Sequence, residues 1–129
     1  MAAVNILIID DYSLGNQLTQ IILSRSEIPV NVLFKESAEE GLAYLEETVH
    51  RDFPDIIISD IHLVQRNGIE FFEEISQKYP NSWDVAKFYI TSSIAPEKEH
   101  IQKFSDAHIT GFIEKPFMED TFQQILENL

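Results

Sequence analysis

Asn5-Ile6-Leu7-Ile8-Ile9-Asp10-Asp11 is a short apolar run that stops at a pair of acids, and its layout recurs along the chain. Ile56-Ile57-Ile58-Ser59 leads into Asp60, Phe88-Tyr89-Ile90 into Thr91, and Gly111-Phe112-Ile113-Glu114 into Lys115-Pro116. Runs of this length, bounded by polar residues, read as buried strands. If the strands are parallel, their carboxyl ends share one edge of a sheet. Three carboxylates, a hydroxyl and an ammonium then meet in the crevice where open α/β sheets bind and act on ligands.

The segments between these runs carry helical spacing. Leu14, Leu18, Ile21 and Ile22 line one helix face, with Ser13 placed to cap it. Pro29 closes the connection, and Val30 to Phe34 reads as a strand. Ser37 and Glu40 make a capping box ahead of Leu42, Leu45 and Val49. Asn67-Gly68 turns into a helix bearing Ile69, Phe72, Ile75 and Tyr79, which Pro80-Asn81 ends. A strand from Val85 to Thr91 follows, then a helix with Pro96 in its first turn, running to about Ala107. After the strand opened by Gly111, Phe122, Ile125, Leu126 and Leu129 form the stripe of a last helix. Strand and helix thus alternate five times.

Such alternation implies an α/β, doubly wound parallel sheet with right-handed crossovers and helices on both faces. Strands one and three are the most uniformly apolar, as central strands should be. Strand two carries Asn31 and Lys35 and strand five is short, which suits edges. The expected order is the flavodoxin-like 2-1-3-4-5, with its switch point between strands one and three, where Asp10, Asp11 and Asp60 lie. No linker or repeat divides the sequence, so residues 1–129 are expected to form a single domain with no output domain.

Composition narrows the function. At 129 residues and 44 % apolar content, the chain can bury a core of ordinary density. Nine basic against 22 acidic residues give a net charge of −13, and the basic residues are scattered. That balance repels phosphate backbones and anionic lipid, so neither nucleic acid nor membrane is an expected partner. Cysteine is absent, which excludes disulfides and thiolate metal sites. No stretch has a signal-peptide layout or the length of a membrane span, so the expected location is cytoplasmic.

The acids argue for chemistry. Each alone could simply open a loop, because Asp favours turns. Together they are costly: two carboxylates ~6 Å apart at an effective dielectric of ~20 repel by about 3 kcal/mol, and three mutual pairs by about 8 kcal/mol. Protons or a cation must offset this in a marginally stable domain. A hard divalent ion such as Mg²⁺ suits an all-oxygen site. With charge neutralised, one carboxylate can act as nucleophile in phosphoryl transfer, which needs an in-line oxygen and cover for the phosphoryl oxygens. Asp60 can supply that oxygen, and Lys115 and Thr91 that cover. Lys115 precedes a proline, which fixes an extended approach and aims its side chain over the sheet edge.

Asp10-Asp11, Asp60 with Gly68 eight residues on, Thr91-Ser92 and Lys115-Pro116 together resemble the receiver domain of two-component response regulators, of the stand-alone type. The resemblance spans essentially the whole chain. It implies that Asp60 accepts a phosphoryl group from a phosphohistidine, on a histidine kinase or a histidine phosphotransfer domain. It implies that Asp11 and Asp60 ligate Mg²⁺ directly with the main-chain carbonyl of His62, while Asp10 acts largely through water. Thr91 and Lys115 would bind phosphoryl oxygens, and Phe112 matches the family's aromatic switch position. The chain would not be an enzyme beyond transfer to its own Asp60 and slow autodephosphorylation.

Two positions depart from the family's habits. Val64 stands four residues after Asp60 where proline is common, and His62 stands where small or polar residues are frequent. His62 reads either as a solvated loop residue or as a neighbour of the attacking-water path that tunes the acyl-phosphate lifetime. Ser93, two residues after Thr91, flanks the same entrance. Three other functions compete. A haloacid-dehalogenase-type phosphatase needs a second acid two residues after its nucleophile, where Tyr12 stands instead. A flavin module needs a phosphate loop where Asp10-Asp11 repel phosphate. A phosphorylation-independent interaction module of the same fold has no use for the full acid-hydroxyl-lysine set. Readout is expected through an unknown downstream protein, a relay step, or self-association through the last two helices.

Overall fold

The apolar runs have no polar alternation because their strands are covered on both faces. The computed structural model describes residues 3–49 and 52–129. Within them β1 (Val4–Ile9), β2 (Val30–Lys35), β3 (Ile56–Asp60), β4 (Lys87–Ser92) and β5 (Gly111–Glu114) form one sheet, every adjacent pair parallel, in the order β2-β1-β3-β4-β5. The fold class and strand order expected from sequence are those observed.

Successive side chains leave opposite faces of a strand. Leu7, Ile9, Ile57, Phe88 and Ile90 enter one buried cluster, and Ile6, Ile8, Ile56, Ile58 and Ile113 enter the other. On the first face lie α2 (Ala38–Thr48), through Leu45, and α3 (Gly68–Lys78), through Ile69, Phe71, Phe72 and Ile75. Phe72 stacks on Phe88 with ring centroids 4.8 Å apart, joining α3 to β4. On the second face lie α1 (Ser13–Ser24), through Leu23, and α5 (Glu119–Glu127), through Phe122, Ile125 and Leu126.

Several boundaries and faces differ from the sequence reading. Leu14, Leu18 and Ile21 of α1 are each more than half exposed; Thr19 and Leu23 are the residues that α1 buries. The seating face is rotated from the apolar stripe, and the apolar side chains left outside are of a kind that folded surfaces commonly carry. Ser13 is the first helical residue and not the cap; Tyr12 is at the N-cap and provides no side-chain bond. Half of the expected capping box at α2 is present: Ser37 Oγ accepts from Glu40 N–H at 3.1 Å, but Glu40 reaches back to Glu36 N–H instead. A full reciprocal box is made by Asn67 and Glu70 at α3. Pro96 lies before α4 (Lys98–Phe104), which is shorter at both ends than expected; Glu97 is its N-cap, without a side-chain bond. Val85 is exposed and precedes β4, following a single 3-10 turn over Ser82–Asp84. Leu129 lies beyond α5 and is exposed.

Trp83 sits in that 3-10 turn, at the amino end of β4 and opposite the acids, its ring stacked on His108 at 3.6 Å. Adding Mg²⁺ should therefore leave Trp83 emission nearly unchanged in a fluorescence titration. A large saturable quench would contradict this separation.

Candidate functional site

Strand alternation decides which polar groups meet. Continuing the side shared by Ile6 and Ile8 places Asp10 on the α1–α5 side of the sheet, and the same parity carries Asp60 beyond Ile56 and Ile58. Thr91 lies opposite Asp60 and Ile113 opposite Thr91, so Lys115 falls on that side too. Asp11 is one residue out of phase with Asp10.

The geometry follows from this parity. Lys115 Nζ donates to Asp10 Oδ2 at 2.5 Å and to Asp60 Oδ2 at 3.2 Å. Asp10 is buried, Asp60 half-buried, and the Lys115 side chain about one-fifth exposed. Each acid's other oxygen accepts an N–H two residues on: Tyr12 N–H to Asp10 Oδ1 at 3.0 Å, and His62 N–H to Asp60 Oδ1 at 3.1 Å. Asp10 and Asp60 thus play the loop-opening part that Asp favours and also face one another across an ammonium. Burial acts to lower the Lys115 pKa, but the hydrogen bond and charge of Asp10, then the charge and hydrogen bond of Asp60, raise it overall. The peptide between Lys115 and Pro116 is cis, and Lys115 N–H donates to the Ser92 carbonyl at 2.9 Å.

The offsetting cation that the carboxylate repulsion required is therefore partly resident, as Lys115. Among the described residues, no three acidic or histidine side chains gather as a ready set of metal ligands. The donor chemistry nevertheless suits a hard cation: Asp10, Asp60 and Asp11 offer carboxylate oxygens, and the Asp11 carboxylate, exposed at the edge, accepts no hydrogen bond among the described residues.

The remaining candidates are arranged around this trio. Thr91 is buried, and its carbonyl accepts Ile61 N–H at 2.9 Å. His62 and Ser93 are exposed. Ser93 borders a groove of about 690 Å³ that also touches Asp10, Asp60 and Lys115 and extends over Tyr12, Leu18, Ile21 and Phe117. Phe112 is half-buried, lies opposite Ile90 and packs against the first cluster. Register therefore puts Thr91 and Phe112 on opposite faces of the sheet.

Gly68 explains the eight-residue spacing from Asp60. A Cβ at this position would lie 2.4 Å from the Asp60 carbonyl oxygen, 2.8 Å from Ile90 Cδ1 and 3.0 Å from Ser59 Oγ. Gly68 N–H donates to the Ile61 carbonyl at 3.0 Å, closing the loop onto the end of β3. Residues the sequence reading passed over also build the site, Asn16 among them: its Nδ2 donates to the Asp10 carbonyl at 2.9 Å. The available signal was an Asn early in a helix, where its amide commonly bonds nearby backbone.

A parallel sheet of order 2-1-3-4-5, with two acids and a lysine joined at its switch point, defines the class: a doubly wound, flavodoxin-like domain. The family model for the response regulator receiver domain matches residues 6–127, and the chain belongs to that family. It is similar to the chemotaxis protein CheY of Halobacterium salinarum, at 27% identity over 128 residues, covering 98% of this chain and 97% of that one. It is 26% identical over 121 residues to the sensory transduction protein LytT of Oceanobacillus iheyensis, covering 93% of this chain but only 45% of that relative's length. Among solved structures, the CheY-like receiver domain protein of Methanospirillum hungatei JF-1 superposes with a TM-score of 0.77 at 26% identity, over 98% of this chain and 94% of that chain. The phosphorylated cyanobacterial phytochrome response regulator RcpA gives 0.77 at 25% identity, over 98% and 91%. The chain is thus a CheY-type receiver domain, a signalling module and not a classical enzyme. Among the described residues, no helix is long and apolar enough to cross a membrane.

Proposed function

We propose that this receiver takes a phosphoryl group onto Asp60 from a phosphohistidine, on a histidine kinase or histidine phosphotransfer domain, in a Mg²⁺-dependent reaction. The observation that carries this reading is the Lys115 ammonium shared by Asp10 and Asp60 at the carboxyl end of the two central strands. An Asp60 oxygen attacks phosphorus, the P–N bond of the phosphohistidine breaks, and its electron pair returns to the imidazole nitrogen. Lys115 and Thr91 cover phosphoryl oxygens as charge builds on them. Asp10, Asp11, Asp60 and the His62 main-chain carbonyl would hold Mg²⁺, which when bound offsets charge on the transferring group.

The exposed apolar residues Tyr12, Leu18 and Ile21, which line the groove that reaches Asp60, offer the donor a landing surface. His62 and Ser93, both exposed, would tune access of the water that hydrolyses the acyl phosphate. Readout by a downstream protein, or by self-association, would use α4, β5 and α5. There Ile94 and Ile101 are exposed and Phe112 is half-buried. Because Thr91 and Phe112 lie on opposite faces of the sheet, coupling between them must run through the backbone of β4 or around its carboxyl end.

Intact mass spectrometry after incubation with acetyl phosphate tests the reading. Wild type should gain one phosphoryl mass with Mg²⁺ and none in EDTA, and Asp60→Asn should gain none in either. Labelling of Asp60→Asn to the wild-type extent would sink the assignment; no labelling of wild type would leave an interaction module that works without phosphorylation. In isothermal titration, Asp11→Asn should weaken Mg²⁺ binding more than Asp10→Asn, since the Asp11 carboxylate is exposed and accepts no hydrogen bond among the described residues, whereas Asp10 is occupied by Tyr12 and Lys115. The reverse order would exchange the two roles.

A further inference from the structure

Every polar group of Asp10 is engaged. Its N–H donates to the Lys35 carbonyl at 3.0 Å, its Oδ1 accepts from Tyr12 N–H, and its Oδ2 accepts from Lys115. Its carbonyl accepts from Asn16 Nδ2 at 2.9 Å. Asn16 is half-buried in the first turn of α1, and its own N–H donates to the Tyr12 carbonyl at 3.0 Å, so the helix fixes the backbone from which the amide reaches.

The Asp10 carbonyl belongs to the same rigid peptide plane as the Asp11 nitrogen. The tilt of that plane sets the direction in which the Asp11 side chain leaves the backbone. Asp11 lies past the last residue of β1, and among the described residues its carboxylate accepts no hydrogen bond; its backbone is held on one side by Asn16 at the Asp10 carbonyl and on the other by Tyr12 N–H at Asp10 Oδ1. We propose that Asn16 is a positioning residue for cation binding, acting on Asp11 through the 10–11 peptide without touching cation or phosphoryl group. This rests on the reading of Asp11 as a Mg²⁺ ligand. An outer-shell donor of this kind orients a ligand whose own side chain has no hydrogen bond among the described residues, and loss of such donors typically weakens metal affinity by about 10- to 100-fold.

Wild type, Asn16→Ala and Asn16→Leu are titrated with MgCl₂ by isothermal calorimetry, and their thermal unfolding is followed without metal. Alanine is the best helix former and leucine keeps the bulk, so neither variant should unfold earlier than wild type by more than a few degrees. Both should bind Mg²⁺ about tenfold more weakly. At saturating Mg²⁺ their labelling by acetyl phosphate should return to within twofold of wild type, which separates placement of the cation from the transfer step. If one variant fails to fold, the other decides. Mg²⁺ affinity within twofold of wild type, or lowered thermal stability with unchanged affinity, overturns the role of Asn16. Wild type that binds no Mg²⁺ would instead overturn the parent reading.

Discussion

Gly68→Ala should destabilise the domain by about 3 kcal/mol and lower the rate of phosphoryl uptake at Asp60 as well. The new methyl group would sit 2.4 Å from a backbone oxygen, that of Asp60, and cannot be accommodated by a rotamer change nearby. Either α3 moves off the end of β3, breaking its packing through Ile69 and Phe72, or the Asp60 peptide tilts and carries the carboxylate with it. Both routes cost stability, and the second displaces the acceptor from Lys115. Gly111→Ala is the matched control. Its Cβ would come no nearer than 3.7 Å to the Tyr89 ring, an ordinary contact, so its stability should change by less than about 0.5 kcal/mol. Urea unfolding of both variants, with initial labelling rates, checks the pair. Equal stability of Gly68→Ala and wild type would refute the close approach.

Lys115→Met should cost about 3 kcal/mol at neutral pH, because it leaves Asp10, buried, and Asp60, half-buried, as facing carboxylates with no shared counter-charge. Adding Asp10→Asn should restore a substantial part of that loss, since one charge of the opposed pair is then gone. A double-mutant cycle by urea unfolding measures the coupling. The pH dependence has a definite sign. The Lys115 pKa is raised in the folded protein, so its contribution is complete below the ordinary lysine value of about 10.4 and disappears as pH climbs through the higher folded value. Wild type should therefore shed this increment only in the alkaline range, and Lys115→Met should lack that loss. A variant as stable as wild type at pH 7 would show that the ammonium is not needed to hold the two acids.

The candidate site was legible in outline because its members are strand-end residues. Asp10, Asp60, Thr91 and Lys115 each follow an apolar run short enough to be a buried strand, and a parallel sheet must bring such ends to one edge. Parity was harder to see. Asp10 and Asp11 look equivalent in the sequence, yet one is buried against Lys115 and the other is exposed, because adjacent residues of an extended chain leave opposite sides. The same rule separates Thr91 from Phe112. The α1 stripe misled for a different reason. Apolar residues are often left outside: Leu14, Leu18 and Ile21 are exposed where spacing alone pointed to a core, and Leu18 and Ile21 line the groove that reaches the acids.

Local chemistry along the chain was enough to establish five strand–helix units, the central and edge strands, and the end of the sheet at which charge collects. Each of these follows from hydrophobic period, turn residues and the handedness of crossovers, which act over a few residues or apply to all such folds. What only the tertiary structure decided were distances between residues far apart in sequence. Lys115, 105 positions after Asp10, became the counter-charge for two acids. Gly68 became the one residue type that can lie against the Asp60 carbonyl. Asn16, indifferent in the sequence, became a donor to the Asp10 carbonyl at the start of the acidic loop. Hydrogen bonds and steric limits act over about 3 Å, and only the packed sheet brings these groups within that range.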